Sequence, residues 1–232
     1  MTQTPRERAR LQTMSEILSI GRQHLAVHGA AGLSLRAVAR DLGVVSSAVY
    51  RYVKSRDELL TLLLVDGYNA LGDAVDHAVN QVPADDFAAQ FRALGGAVRE
   101  WAVAEPARYG LLFGSPVPGY EAPSEQTTGP GTRVIVQLVR IIEGAHRAGA
   151  LREVARAPVP DPRLAADFAA IREEMGLSVP DDVLARGVLV WAAVFGAVNF
   201  EVFGQYGRAT FSDPAALFEL HLAALAETAG LS

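Results

Sequence analysis

No cysteine occurs in the 232 residues, which excludes disulfides, thiol nucleophiles and thiolate metal sites. Long apolar runs are missing too. The longest, Gly187 to Val198, has 12 residues, short of the ~18 that a membrane-spanning helix needs. The opening MTQTPRERAR is charged and leads into no apolar segment, so no signal peptide is expected. The chain therefore reads as cytoplasmic, with no membrane partner. No stretch alternates apolar and polar residues convincingly, so no strand is expected. The histidines, His24, His28, His77, His146 and His221, are scattered without HExxH or paired ligand spacing. No G-x-S-x-G elbow exists. Gly129-Pro130-Gly131-Thr132 lacks both the lysine of a phosphate loop and the third glycine of a dinucleotide fingerprint. No catalytic residue, metal or cofactor is expected, and an enzyme built on a helical scaffold is the weakest reading.

A net charge of −5 also argues against nucleic acid until the chain is divided. Residues 1–60 hold nine basic residues against five acidic ones, a net +4, whereas the remainder holds twelve against 21, a net −9. A basic end on an acidic body suggests that one end alone meets a polyanion. Half of the residues are apolar, enough to build a sizeable core.

The stretch from Gly32 to Leu60, GLSLRAVARDLGVVSSAVYRYVKSRDELL, carries the most local information. Ser34 is placed to cap a short helix in which Leu35, Val38, Ala39 and Leu42 recur at helical spacing. Gly43 sits where that helix must stop, because glycine enters the left-handed region without steric cost. A second short helix is expected from Ser46 to Val53. Ser55-Arg56-Asp57-Glu58 fits a capping box that opens a longer helix, Arg56 to about Asn80. Helix, glycine turn, helix is the shape of a DNA-reading helix-turn-helix.

Ahead of it, Leu11, Met14, Leu18, Gly21 and Leu25 stripe a first helix from about Arg6 to His28. Behind it, helical patterns cover roughly 86–104, Thr132–Ala148, Arg163–Met175, Asp181–Tyr206 and Pro214–Ala229. Gly114 to Gly131 is rich in Gly and Pro without apolar periodicity, and is expected to be a mobile loop or disordered. A second proline-rich passage runs from Ala157 to Pro162. The helix from Asp181 is apolar on every side, which is most easily satisfied if one face meets its own core and another meets a second copy of the chain. The expected fold is all-α: a helix-turn-helix domain, residues 1–55, and a larger helical domain for effector binding and dimerisation, residues 56–232.

Ser34-Leu35-Arg36-Ala37-Val38-Ala39, Leu42-Gly43-Val44 and Tyr50-Arg51-Tyr52-Val53-Lys54-Ser55-Arg56-Asp57-Glu58-Leu59 together resemble the N-terminal domain of TetR-family regulators. Trp101 to Gly114 is similar to a WHG-type C-terminal subgroup, with Glu105 in place of a histidine. The resemblance implies a homodimer on double-stranded DNA, paired through its two C-terminal helices and released from a pseudo-palindromic operator by a small, mostly apolar effector. It places Ser34, Tyr50, Tyr52 and Lys54 where the family contacts phosphates, and Arg36, Ser46 and Ser47 where members contact bases. Tyr52 and Val53 replace a frequent His and Phe, and Ser47 a frequent proline, so base preference does not carry over. Packing of the recognition helix is an equal reading for Tyr52. Trp101, Tyr109, Phe113, Trp191, Phe195 and Asn199 are candidates to line the effector pocket, Asn199 because an amide in an apolar helix needs a partner. An activator, or a regulator that works through protein contacts, would share the same head.

Overall fold

Thr4 opens the first helix with a capping box: its hydroxyl accepts from Glu7 N at 3.3 Å, and Glu7 Oε2 accepts from Thr4 N at 2.8 Å. Pro5 follows at the first helical position, where a missing N–H is harmless. The computed structural model describes residues 4–152, 160–207 and 209–231. Within them lie eleven α-helices: α1 (Pro5–His28), α2 (Leu35–Asp41), α3 (Ser46–Val49), α4 (Arg56–Asn80), α5 (Phe87–Ala104), α6 (Pro106–Phe113), α7 (Ser124–Gly131), α8 (Arg133–Arg147), α9 (Pro162–Met175), α10 (Asp181–Val202) and α11 (Pro214–Ala229). No described residue is in a strand. The all-α expectation holds. Of the passage 157–162, residues 157–159 lie outside the described set.

The described residues form two units. The first comprises residues up to Ala70 together with Ala104–Gly131. Its core joins Ile17 of α1, Leu35, Val38 and Ala39 of α2, Val49 of α3, and Leu59, Leu60 and Leu63 of α4, with Leu33 and Val53 from the connections. Each buried Leu or Ile contributes roughly 1.5–3 kcal/mol relative to exposure. Gly43, at φ +73°, makes the turn between α2 and α3.

Three local expectations change. Ser34 stands at the start of α2 but makes no side-chain capping bond. α3 is one turn long and gives way to tight turns through Tyr52 and Val53, whose N–H groups both donate to the Val49 carbonyl. The chain is already committed there to opening α4. Ser55 Oγ accepts from Glu58 N at 3.1 Å, while Glu58 Oε2 reaches the Lys54 amide at 2.5 Å, one residue beyond the usual capping box.

The stretch from Gly114 to Gly131 is not structureless. Val117 and Tyr120 pack on the core of the first unit, and the Tyr120 and Thr61 hydroxyls lie 2.9 Å apart. Ser124–Gly131 is helical despite Pro130. The Pro123 carbonyl accepts from Gln126 N, Thr127 N and Thr127 Oγ1, which fixes the first turn.

The second unit comprises Leu71–Val103 and the described residues from Thr132 onward. α9 starts on Asp161, which accepts from Arg163 N and Leu164 N, and α11 starts on Asp213, which accepts from Ala216 N. α5 and α11 meet closely: a Cβ on Gly95 would lie 2.4 Å from the buried Leu222 side chain. Arg99 grips Glu201 bidentately at 2.7 and 2.5 Å. α10 is long and apolar enough to cross a membrane by length and composition, a property its short uninterrupted apolar run concealed. Here it packs on α8, α9 and α11, and it carries Asp182, Arg186 and Glu201 in ion pairs. Val190, Val194 and Val198 are buried on one side; Val188, Leu189 and Phe200 stand 54, 56 and 47% exposed on another.

Candidate nucleic-acid interface

The helix-turn-helix is built from short-range patterning and then pinned from outside. His24 of α1 lies 2.6 Å from the Asp41 carboxylate at the end of α2, which Arg40 Nε also reaches at 3.0 Å. The hydrogen bond from His24, followed by that from Arg40, holds the Asp41 carboxyl below its ordinary range. That contact fixes where α2 ends, and so the approach of the glycine turn to α3.

Leu35, Val38, Ala39, Val49 and Val53 turn into the core and Leu42 and Tyr52 pack against it, leaving the other side chains partly or fully exposed. Of the residues expected to meet DNA, Arg36, Ser47, Tyr50 and Lys54 are exposed, while Ser34, Ser46 and Tyr52 are half-buried. The Tyr52 ring packs against the core and lies 5.9 Å beneath the Arg10 guanidinium. Its environment is that of a packing residue with a cation–π neighbour.

Two further sets belong to this surface. Arg51 is exposed and follows Ser47 by four residues, one helical turn, a spacing that could have disclosed it. Arg36, Arg51 and Lys54 form no ion pair among the described residues, so all three cations are available to phosphate or base edges. Val44 and Val45, in the turn before α3, are 40 and 71% exposed. Nothing in apolar periodicity marks an exposed valine.

The six pocket candidates fall in different units. Tyr109 and Phe113 belong to the first, with ring centroids 5.1 Å apart, and Phe113 meets Tyr68 edge-on at 6.1 Å. Tyr109 is fully buried, and burial drives its hydroxyl far above the ordinary tyrosine range. Trp101, Trp191, Phe195 and Asn199 belong to the second, where the Trp191 and Phe195 rings stand 4.3 Å apart. Asn199 Oδ1 is buried without a hydrogen-bond partner among the described residues. The second unit also holds a small apolar cavity of about 50 Å³ between α8, the turn at Leu177–Val179 and α10, lined by Leu138, Ile142, Val183 and Gly187. The one charged group on its wall, Glu143, is held by Ser178 and Arg147. An open apolar groove runs along α10 and α11 past Ala193, Gly196, Ala197, Phe200 and Leu225.

These features have counterparts in known proteins. Residues 17–63 match the bacterial regulatory proteins of the tetR family, and residues 91–225 match the Tetracyclin repressor-like C-terminal domain. The HTH-type transcriptional regulator Rv1816 of Mycobacterium tuberculosis is 49% identical over 226 residues, covering 96% of each chain. The HTH-type transcriptional regulator Mb1846 of Mycobacterium bovis matches to the same degree. Among solved structures, the regulatory protein SCO4313 superposes with a TM-score of 0.77 at 33% identity, covering 96% of this chain and 98% of that one. A Rhodococcus sp. RHA1 protein of unknown function shares the fold, with a TM-score of 0.70 at 21% identity over 93% of this chain and 94% of that one. The chain belongs to the TetR family of transcriptional regulators, with its DNA-binding helix-turn-helix at the N-terminal end and a helical Tetracyclin repressor-like domain behind it.

Proposed function

We propose that this regulator is a homodimeric repressor of the cytoplasm, seated on a pseudo-palindromic operator and released by a small, mostly apolar effector. The observation that carries the dimer is the open side of α10 and α11, where Leu189 is 56%, Phe200 47% and Leu220 69% exposed around the apolar groove. A single chain gains nothing from leaving so much apolar surface in water, and a two-fold copy of the same face covers it.

In this reading residues 1–55 are the DNA-binding head and residues 56–232 the effector-binding and dimerisation domain. Two heads enter successive major grooves ~34–36 Å apart. Ser34, Tyr50 and Lys54 hold phosphates, joined by Arg51, and Tyr52 supports the helix that presents them. Arg36, Ser46 and Ser47 face base edges. In the second unit, Asn199 orients the effector through its unpartnered oxygen, with Trp101, Trp191 and Phe195 as the aromatic candidates around it. Tyr109 and Phe113 line the stretch of the first unit that follows α5. α4 is one continuous helix with residues in both units, so a shift at one end is transmitted to the other. A coupling of roughly 1–3 kcal/mol would change operator affinity about 5–150-fold.

Sedimentation of the chain alone and on a selected duplex, with native mass spectrometry of the protein as purified from its host, tests this reading. Two chains per duplex and a co-purifying small molecule that lowers affinity are expected. A monomer on DNA would overturn it.

A further inference from the structure

Val45 breaks two local rules at once. It occupies the N-cap position of α3, at φ −67° and ψ 144°, where a Ser, Thr, Asp or Asn side chain would accept from the first helical N–H groups and valine cannot. It is also 71% exposed, whereas the valines four and eight residues further on, Val49 and Val53, are 1 and 0% exposed. Val44 beside it is 40% exposed. Neither arrangement helps the folded chain, and local rules are broken in this way at functional sites.

The neighbours say what the function is. Ser46, Ser47, Tyr50, Arg51 and Lys54 supply hydroxyls and cations, the groups that bond phosphates and the polar edges of bases. The one large apolar surface among them is the Tyr50 ring, 44% exposed and five residues further along the chain than Val45. The apolar feature that the major groove displays is the C5 methyl of thymine. A β-branched side chain is stiff at χ1, so Val45 holds its two methyl groups in place before DNA arrives and loses little freedom on binding.

We infer that Val45 is a specificity-determining residue that reads a thymine methyl in each half-site of the operator, favouring thymine over cytosine at that step. This rests on the operator-binding reading above. It extends that reading by assigning a base chemistry to a residue that neither spacing nor charge brings forward.

The discriminating probe is deoxyuridine, which pairs like thymine and lacks the methyl. A duplex is enriched from a randomised pool by the wild-type protein, then synthesised with each thymine replaced in turn by deoxyuridine, and affinities are measured by fluorescence anisotropy at fixed salt. One replacement per half-site is expected to weaken wild-type binding about fourfold, the factor equivalent to ~0.8 kcal/mol for one buried methyl group. Val45→Ser, which restores a good N-cap and so folds at least as well, is expected to bind the thymine and deoxyuridine duplexes equally at that step. A wild-type protein indifferent to every replacement would overturn the inference and leave operator binding intact. So would a Val45→Ser protein that keeps the fourfold difference. Failure to enrich any duplex would overturn the operator reading itself and this inference with it.

Discussion

Arg108, near the start of α6, donates to the Asp66 carboxylate of α4 at 2.8 Å, and Arg22 of α1 reaches the same carboxylate at 3.1 Å. One acid thus ties the first helix of the DNA-binding head to α4 and α6, all within the first unit. The side chains are 12–34% exposed. Asp66→Ala leaves two guanidinium groups facing each other across a part-buried gap and is expected to lower unfolding free energy by about 1–3 kcal/mol, less than a fully buried pair would lose. The open pair Arg92–Glu219, with both side chains more than half exposed, sets the contrast. Glu219→Ala is expected to lose at most about 0.5 kcal/mol. Urea titrations with unchanged m-values check both, and equal losses would mean that Asp66 is an ordinary surface acid.

Tyr120 fastens the segment after α6 to the head by its ring, packed on the core, and by its hydroxyl, 2.9 Å from buried Thr61. Tyr120→Phe removes one neutral hydrogen bond and is expected to lose about 0.5–1.5 kcal/mol. Tyr120→Ala also uncovers core surface and is expected to lose about 2–4 kcal/mol, a little under the usual figure for a buried aromatic. Amide exchange should rise in α1 to α3 for the alanine variant. Exchange confined to residues 114–123 would show that the segment rests on the head without supporting it.

The helix-turn-helix was legible because its determinants are local. Leu35, Val38 and Ala39 recur at helical spacing, Gly43 stops the run, and Val49 and Val53 follow one turn apart. α7 was not, because SEQTTGPG has no apolar period; its first turn is organised by the Pro123 carbonyl and Gly131 lies against the Tyr68 ring. Asp66, Arg22 and Arg108 are 44 and 42 positions apart, a separation that no window along the chain spans. Spacing likewise places Tyr109 with Phe113, and Trp191 with Phe195, as neighbours one helical turn apart. It does not say which helices close over either pair. Val45 escaped for the opposite reason, since an apolar residue next to a buried run reads as more core.

Lys54, Arg36 and Arg51 should separate by what they touch. Lys54→Ala and Arg51→Ala are each expected to weaken binding to all sequences alike and to reduce the slope of log K against log salt by about 1, the loss of one phosphate contact. Arg36→Ala is expected to relax preference at one base pair, by about 1–3 kcal/mol, against a guanine in the major groove. Salt-titrated binding to a selected duplex and to single-step variants reads both effects. An unchanged salt slope in Lys54→Ala would remove that residue from the phosphate contacts.

Glu143 gives the second unit a defined acid sensitivity. Burial pushes its carboxyl upward, but hydrogen bonds from Ser178 Oγ at 2.6 Å, Ser178 N at 2.9 Å and Arg147 Nε at 2.6 Å outweigh it, leaving the group below its ordinary 4.5. A carboxyl depressed in the folded state binds fewer protons there than when unfolded. Its stabilisation is therefore fully present above pH 4.5 and is lost as pH falls below that value through the folded one. Glu143→Gln, which cannot accept from both partners as a carboxylate, is expected to melt lower than wild type at pH 7. The gap should close as pH falls below 4.5 and through the lower value of the folded state. A gap that persists unchanged into acid would mean that shape, and not charge, is what Glu143 contributes.

Gly196 separates folding from assembly. It lies on the groove side of α10, and a Cβ built there meets nothing within 4 Å. In the single chain a side chain at this position has room, and replacing a helical glycine gains up to about 1 kcal/mol of propensity. A second copy of the α10–α11 face seated on the groove would need that space. Gly196→Arg is therefore expected to melt at or above the wild-type temperature when monomeric, yet to raise the dimer dissociation constant by 100-fold or more, about 2.7 kcal/mol or more. Sedimentation equilibrium over a range of concentrations reads the second effect directly. Operator affinity should fall with it, because two half-sites are then no longer held by one particle. If Gly196→Arg stays dimeric at wild-type affinity, the open face of α10 and α11 is not where two copies meet.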